Sequence, residues 1–123
     1  MRSLNKLMLI GNVGMEPEIR SAASGARVAK FSLATNRKWK TQSGGEQERT
    51  EWHRVTCFGK LADIVEQYVH KGDRLYVEGR IEYSETVDDD GRKRYWADVI
   101  AGEMVMLGGK SGAPLVDSDL PFS

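Results

Sequence analysis

Lys60-Leu-Ala-Asp-Ile-Val-Glu-Gln-Tyr-Val-His-Lys71 is the stretch on which the reading of this chain turns. Leu61, Ile64, Val65, Tyr68 and Val69 fall at i, i+3, i+4, i+7 and i+8, one apolar stripe of a helix. Asp63 and Glu66 lie toward its start. Lys71 and Gly72 close it, as the helix dipole and a left-handed cap position favour.

Everything around that helix has a shorter period. Apolar-rich runs recur between turn signals, the pattern of a small all-β domain. They span Lys6 to Ile10, Ala26 to Asn36, Glu51 to Phe58, Arg74 to Thr86 and Arg94 to Met106. Gly11-Asn12-Val13-Gly14 stops the first, Ser24-Gly25 precedes the second, and Asp88-Asp89-Asp90-Gly91 turns the chain between the last two. The polar stretch from Arg37 to Thr50 is long enough for a flexible loop or an extended hairpin arm. Three strands, a helix and two strands predict a five-stranded Greek-key barrel with one helix between strands 3 and 4, the OB-fold arrangement. A split α+β sheet is the alternative. The barrel domain is expected over residues 1–107, a short Gly-rich linker over 108–116, and an acidic tip over 117–123.

The chain has 123 residues, with 18 Lys plus Arg against 18 Asp plus Glu. A net charge of zero is a weak signal for nucleic-acid binding. The distribution is uneven: both acids after residue 110 are in the tip, so residues 1–110 carry 18 − 16 = +2. A groove needs local positive charge more than a positive total. Cys57 is the one cysteine, which leaves no internal disulfide and suits a reducing compartment. One Cys with His53 and His70 makes no recognised metal spacing. There is no run of 18 apolar residues and no apolar signal region. A cytoplasmic protein without a membrane partner, metal or other cofactor is expected.

Enzyme signals fail when checked. Gly109-Lys110-Ser111 has Met104 where a phosphate-binding loop needs glycine. Alternation turns Cys57 and His53 both inward, as packing or an interface rather than as nucleophile and base.

Alternation also organises the third run. Trp52, Arg54, Thr56 and Phe58 share one face; His53, Val55 and Cys57 share the other. Val55 and Cys57 read as core. The first face mixes rings with a guanidinium, costly to bury unpaired, so Trp52 and Phe58 are expected to be open platforms for base stacking. The competing readings are a core face with Arg54 paired to an acid, or a subunit interface. Arg37-Lys38-Trp39-Lys40 sets a ring among three cations, where phosphates would take the cations and a base the indole; a Trp packed onto its own hairpin is the alternative. Lys60 opposes the helix dipole, which suggests another task. In the fourth run Leu75, Val77, Gly79, Ile81 and Tyr83 alternate with Arg74, Tyr76, Glu78, Arg80 and Glu82, the first set as core and Gly79 as a bend or bulge. Arg92, Lys93 and Arg94 either face phosphate or balance Asp88, Asp89 and Asp90. The face of Trp96 stays undecided. At the end, Asp117-Ser-Asp-Leu-Pro-Phe-Ser123 joins two carboxylates to an apolar plug, a peptide for a partner's pocket with a basic rim.

Several separate motifs now agree. Asn5-Lys-Leu-Met-Leu-Ile-Gly-Asn-Val-Gly14, Phe31-Ser-Leu-Ala-Thr-Asn36, Thr50-Glu-Trp-His-Arg-Val55, Phe58-Gly-Lys-Leu-Ala62, Lys71-Gly72, Tyr76-Val-Glu-Gly79 and Met106-Leu-Gly-Gly109 resemble bacterial-type single-stranded DNA-binding protein. The resemblance covers nearly all of residues 4–109. It implies an OB-fold, a homotetramer, and single-stranded DNA bound without sequence preference or catalysis in replication, recombination and repair, at the nucleoid. By motif it implies stacking by Trp39, Trp52 and Phe58, and phosphate contacts by Arg54 and Lys60, beside the cations Arg37, Lys38 and Lys40. His53 and Tyr76 would lie at subunit contacts. Asp117, Asp119, Leu120, Pro121 and Phe122 would recruit replication and repair proteins. Three features depart from the family pattern: Thr86 stands where a further Trp is common, the linker is short, and Ser123 follows the terminal Phe122. Two other classes of function stay open, a protein-interaction module on the same barrel and a nucleic-acid enzyme.

Overall fold

A computed structural model of the protein describes residues 2–108. The linker beyond Gly108 and the tip expected from the sequence, including Asp117, Asp119, Leu120, Pro121 and Phe122, lie outside the described residues. The elements are β1 (Leu7–Val13), β2 (Glu18–Ser21), β3 (Arg27–Lys40), β4 (Glu46–Phe58), α1 (Lys60–Tyr68), β5 (Arg74–Val87) and β6 (Lys93–Gly108).

The strands run in the order β1-β5-β6-β4-β3-β2, and β1 also pairs with β3, which closes a five-stranded barrel with β2 as a flap on β3. Every pairing is antiparallel except β4 with β6. The helix falls between the third and fourth barrel strands, so the OB-fold expectation holds and the split sheet does not. The short β2 strand was not anticipated: Glu18–Ser21 has no apolar run to announce it, and it exists because its backbone pairs with Arg27–Lys30. The stretch Arg37–Thr50 is the hairpin-arm alternative rather than the loop. Its pairing runs unbroken from Val28↔Phe58 to Lys40↔Glu46, with the turn at Thr41–Gly45.

The core is filled by the inward residues of the barrel, among them Phe31, Leu33, Val55, Cys57, Leu75, Val77 and Val99, with Ala62, Val65 and Val69 from the helix segment. The helix packs on β3, β4 and β6. Its buried face differs from the expected stripe: Ala62, Val65 and Val69 go inward, while Ile64 and Tyr68 are exposed. The helix also stops at Tyr68 instead of reaching Lys71. The chain is pulled onto β1 there, with Gly72 N donating to Val13 O at 2.8 Å and Val13 N donating to Asp73 O at 2.9 Å. Asp73 Oδ2 accepts from His70 N at 2.8 Å, fixing a turn where another helical turn would have run. About three turns of periodicity can be cut short by two tertiary hydrogen bonds because a nine-residue helix has little stability of its own.

Pairing of β5 with β6 shifts register at Glu78/Gly79. A Cβ at Gly79 would lie 2.1 Å from Ile100 O, so the expected bulge is also a point of close backbone approach. Among the described residues no helix is long and apolar enough to cross a membrane.

Candidate nucleic-acid interface

The third barrel strand, β4, builds the centre of the site. Val55 and Cys57 are buried, and Trp52, Arg54 and Phe58 emerge on the opposite side. Trp52 is 61% exposed and Phe58 51% exposed. Thr56, expected on the same open face, is covered instead, because it sits mid-sheet between Lys30 on β3 and Ile100 on β6. The reading of this face as core therefore fails. Its companion, that Arg54 pairs with an acid, is nonetheless realised on the surface: Arg54 Nε lies 3.0 Å from Asp98 Oδ1.

The Trp52 indole lies against Gly14, where there is no side chain to hold it off. Beside it runs a groove of about 250 Å³ whose walls include Met15, Glu16, Lys30, Ser32, Arg54 and Thr56. Lys30 and Ser32 were missed in the sequence. The signal for them was present, since both alternate outward from Phe31 and Leu33, but neither is an aromatic or part of a cation cluster.

Trp39 is 40% exposed, on the projecting part of the β3–β4 arm. Arg37 lies over its ring, with Cζ 4.7 Å from the centroid. The register places Trp39 opposite Gln47 and Trp52 opposite Ala34, so the two indoles emerge on opposite faces of the arm. Trp52 shares its face with Lys38 and Lys40. Across the arm from those lysines stand Glu48 and Glu46, which temper their charge. Lys60 is exposed at the first position of α1, two residues after Phe58.

Trp96 emerges on the face of Arg54, which settles its side. The Arg54 Cζ is 4.4 Å from its ring centroid, and its Nε1 donates to Thr86 Oγ1 at 2.9 Å. Tyr83, grouped with the core residues from alternation, is exposed, as is Tyr95. The β5–β6 hairpin outruns the barrel there, so among the described residues nothing covers its inward face. Two of the three turn cations balance acids of their own hairpin: Lys93 Nζ is 3.4 Å from Glu85 Oε1 and Arg94 Nε is 3.6 Å from Asp88 Oδ2.

His53 is half-buried, on the side away from Trp52, with Nε2 2.9 Å from Thr35 Oγ1. Tyr76 lies on the outer face of β5, between Ile10 and Val105, and its hydroxyl donates to Glu78 Oε1 at 2.8 Å. That hydrogen bond, with Glu78 and Glu103 nearby, raises the phenol pKa above its ordinary value. Burial pushes the Cys57 thiol up to about 12, which makes it a packing group.

Known proteins share the sequence and fold of this chain. Residues 4–107 match the family model described as the single-strand binding protein family. A single-stranded DNA-binding protein of Chlorobaculum tepidum is 50% identical over 111 residues, covering 89% of this chain and 68% of that protein. One from Xylella fastidiosa is 46% identical over 110 residues, covering 89% and 67%. Among solved structures, the Plasmodium falciparum SSB complex with ssDNA superposes with a TM-score of 0.81 at 35% identity, covering 87% of this chain and 97% of that one. A deletion mutant of the Thermus aquaticus single-stranded DNA binding protein gives 0.75 at 31% identity, covering 89% and 53%. With a family match across the whole barrel and relatives near half identity, this chain belongs to the single-strand binding protein family.

Proposed function

We propose that the protein binds single-stranded DNA without sequence preference, by stacking bases on open rings and neutralising phosphates with Lys and Arg. The observation that carries this reading is the outward pair Trp52 and Phe58 flanking Arg54 on one strand. Apolar rings of that size are left in water at a cost, and a sequence-tolerant ligand recovers it because every base has a flat apolar face. Trp39, Trp52 and Phe58 are the stacking rings. Lys60, Arg37, Lys38 and Lys40 attract the backbone, and Arg54 contacts the strand between the two rings of β4. Because Trp39 and Trp52 emerge on opposite faces of the arm, the strand passes round the arm rather than along one side.

Homo-oligomers, with a tetramer as the expected state, complete the reading. Among the described residues, β1 pairs with β5 alone from Leu7 to Ile10, which leaves one backbone edge open to a second copy. Exposed Met8 on β1, with Tyr76 and Val105 on the adjoining face, supplies apolar surface for it. His53 and Tyr76 are the candidate subunit contacts. The tip residues Asp117, Asp119, Leu120, Pro121 and Phe122 offer partner proteins of replication and repair a charged, apolar-ended peptide, and single-stranded DNA at the nucleoid is where such recruitment is useful.

Titration of fluorescein-labelled oligo(dT) read by anisotropy, repeated from low to high salt, tests the reading. Saturable binding that weakens steadily with salt and quenches tryptophan emission supports it. No saturable binding at low salt would leave a protein-interaction module in its place.

A further inference from the structure

Arg54 is poorly placed to act as a free cation. Its Nε is held 3.0 Å from Asp98 Oδ1, so a phosphate arriving there meets a carboxylate beside the guanidinium. Its Cζ sits 4.4 Å from the centre of the Trp96 ring. Trp96 is in turn fixed by its Nε1 hydrogen bond to Thr86 Oγ1. Three strands thus converge on one guanidinium: β4 supplies it, β6 supplies the ring and the carboxylate, and β5 supplies the hydroxyl that orients the ring. The arrangement is still open, with the Arg54 side chain 47% exposed and lining the groove beside Trp52.

We infer that Arg54 and Trp96 together form a further base-stacking platform, in which the guanidinium is a flat stacking surface and Asp98 cancels its charge. A guanidinium is planar, delocalised and weakly hydrated, and stacks on aromatic rings and under bases in a way an ammonium cannot. Asp98 and Trp96 hold it before DNA arrives, so little side-chain freedom is lost on binding. Arg54 follows Trp52 by two residues, roughly 6.7 Å along an extended strand, so the platform continues the row of rings on the same face. This inference rests on the single-stranded DNA reading and specifies how one part of that site works.

The test compares Arg54→Lys and Trp96→Ala with the full chain, using anisotropy with oligo(dT) and thermal melting as the control for folding. Arg54→Lys keeps the charge and removes the plane. Both variants are expected to weaken binding about five- to tenfold, toward the low end of the range for one stacked base. Wild-type affinity for Arg54→Lys would overturn the inference, since a charge contact survives that change. A second protein, Trp39→Phe with Trp52→Phe, leaves Trp96 as the sole tryptophan and the Arg54 contact intact. Its emission is expected to change on oligo(dT) binding; anisotropy showing binding with unchanged emission would equally overturn the platform. Failure of the unmodified protein to bind oligo(dT) would instead remove the underlying reading, and the platform with it.

Discussion

The indole of Trp52 rests on the backbone of Gly14: a Cβ built at that glycine would lie 2.3 Å from Cζ3 and 3.0 Å from Cη2 of the ring. Two segments 38 positions apart in the chain therefore set the tilt of one exposed ring. The missing side chain at Gly14 lets Trp52 lie down on the barrel.

Gly14→Ala is expected to lift Trp52 from this seat. The ring is open to solvent and can yield, so stability should fall by less than about 1 kcal/mol. Affinity for oligo(dT) should fall about three- to tenfold, because part of one stacking contact is misaligned. A shift in tryptophan emission of the free protein, together with the anisotropy titration, checks both.

Trp39→Ala combined with Trp52→Ala should cost binding heavily while sparing the fold. Each ring is worth about 1–3 kcal/mol per stacked base, so the double variant should lose at least about thirtyfold. Both rings are outside the core, and the melting temperature should move by only a few degrees. Unchanged affinity with an unchanged melting curve would show that neither ring meets a base.

Charge on the proposed DNA face is held down by its own acids. Asp98→Asn frees the Arg54 guanidinium from its carboxylate, and Glu46→Gln with Glu48→Gln does the same for Lys40 and Lys38 across the arm. Each cation released to contact phosphate should steepen the plot of log affinity against log salt by about 0.7. A steeper slope is the expected result for both variants, with tighter binding at low salt for the arm variant, whose acids hold no stacking group in place.

Cys57 makes stability sensitive to alkali. Its folded pKa is raised from 9.0 to about 12 because the thiolate would be buried among apolar groups. The contribution is complete below pH 9, and is lost as the pH rises from there toward 12, where the unfolded chain ionises and the folded one resists. Denaturant midpoints should fall across that window, and Cys57→Ala should flatten the fall. At pH 8 a thiol reagent should label Cys57 only after unfolding.

Gly79→Ala is expected to be a folding variant. Its Cβ would meet Ile100 O at 2.1 Å and the Ala101 backbone at 3.1 Å, and neither backbone can move without opening the β5–β6 ladder. A loss of roughly 2–4 kcal/mol in denaturant unfolding is expected.

The barrel could be read from the chain because each signal was local. Alternation in Trp52–Phe58 separates Val55 and Cys57 from Trp52 and Arg54 whatever surrounds them, and the apolar period of Leu61–Val69 marks a helix among strands. The motifs that placed the chain in its family carry the same local information. Other features depended on contacts between distant segments. The β2 strand exists only through pairing to β3, and the helix ends where β1 takes up its backbone. Which face of α1 is buried was settled by the barrel beneath it. The opposite orientation of Trp39 and Trp52 follows from the register of the arm, and a shift of one residue would reverse it.

The site divides in the same way. Sequence alone determined the residue types at the surface of β4, because period two is a property of the extended backbone. Only the tertiary structure decided what each of them faces: Gly14 beneath Trp52, Asp98 against Arg54, and Trp96 seated on Thr86. Those partners come from other segments of the chain, and no pattern within β4 encodes where closure of the barrel will bring them.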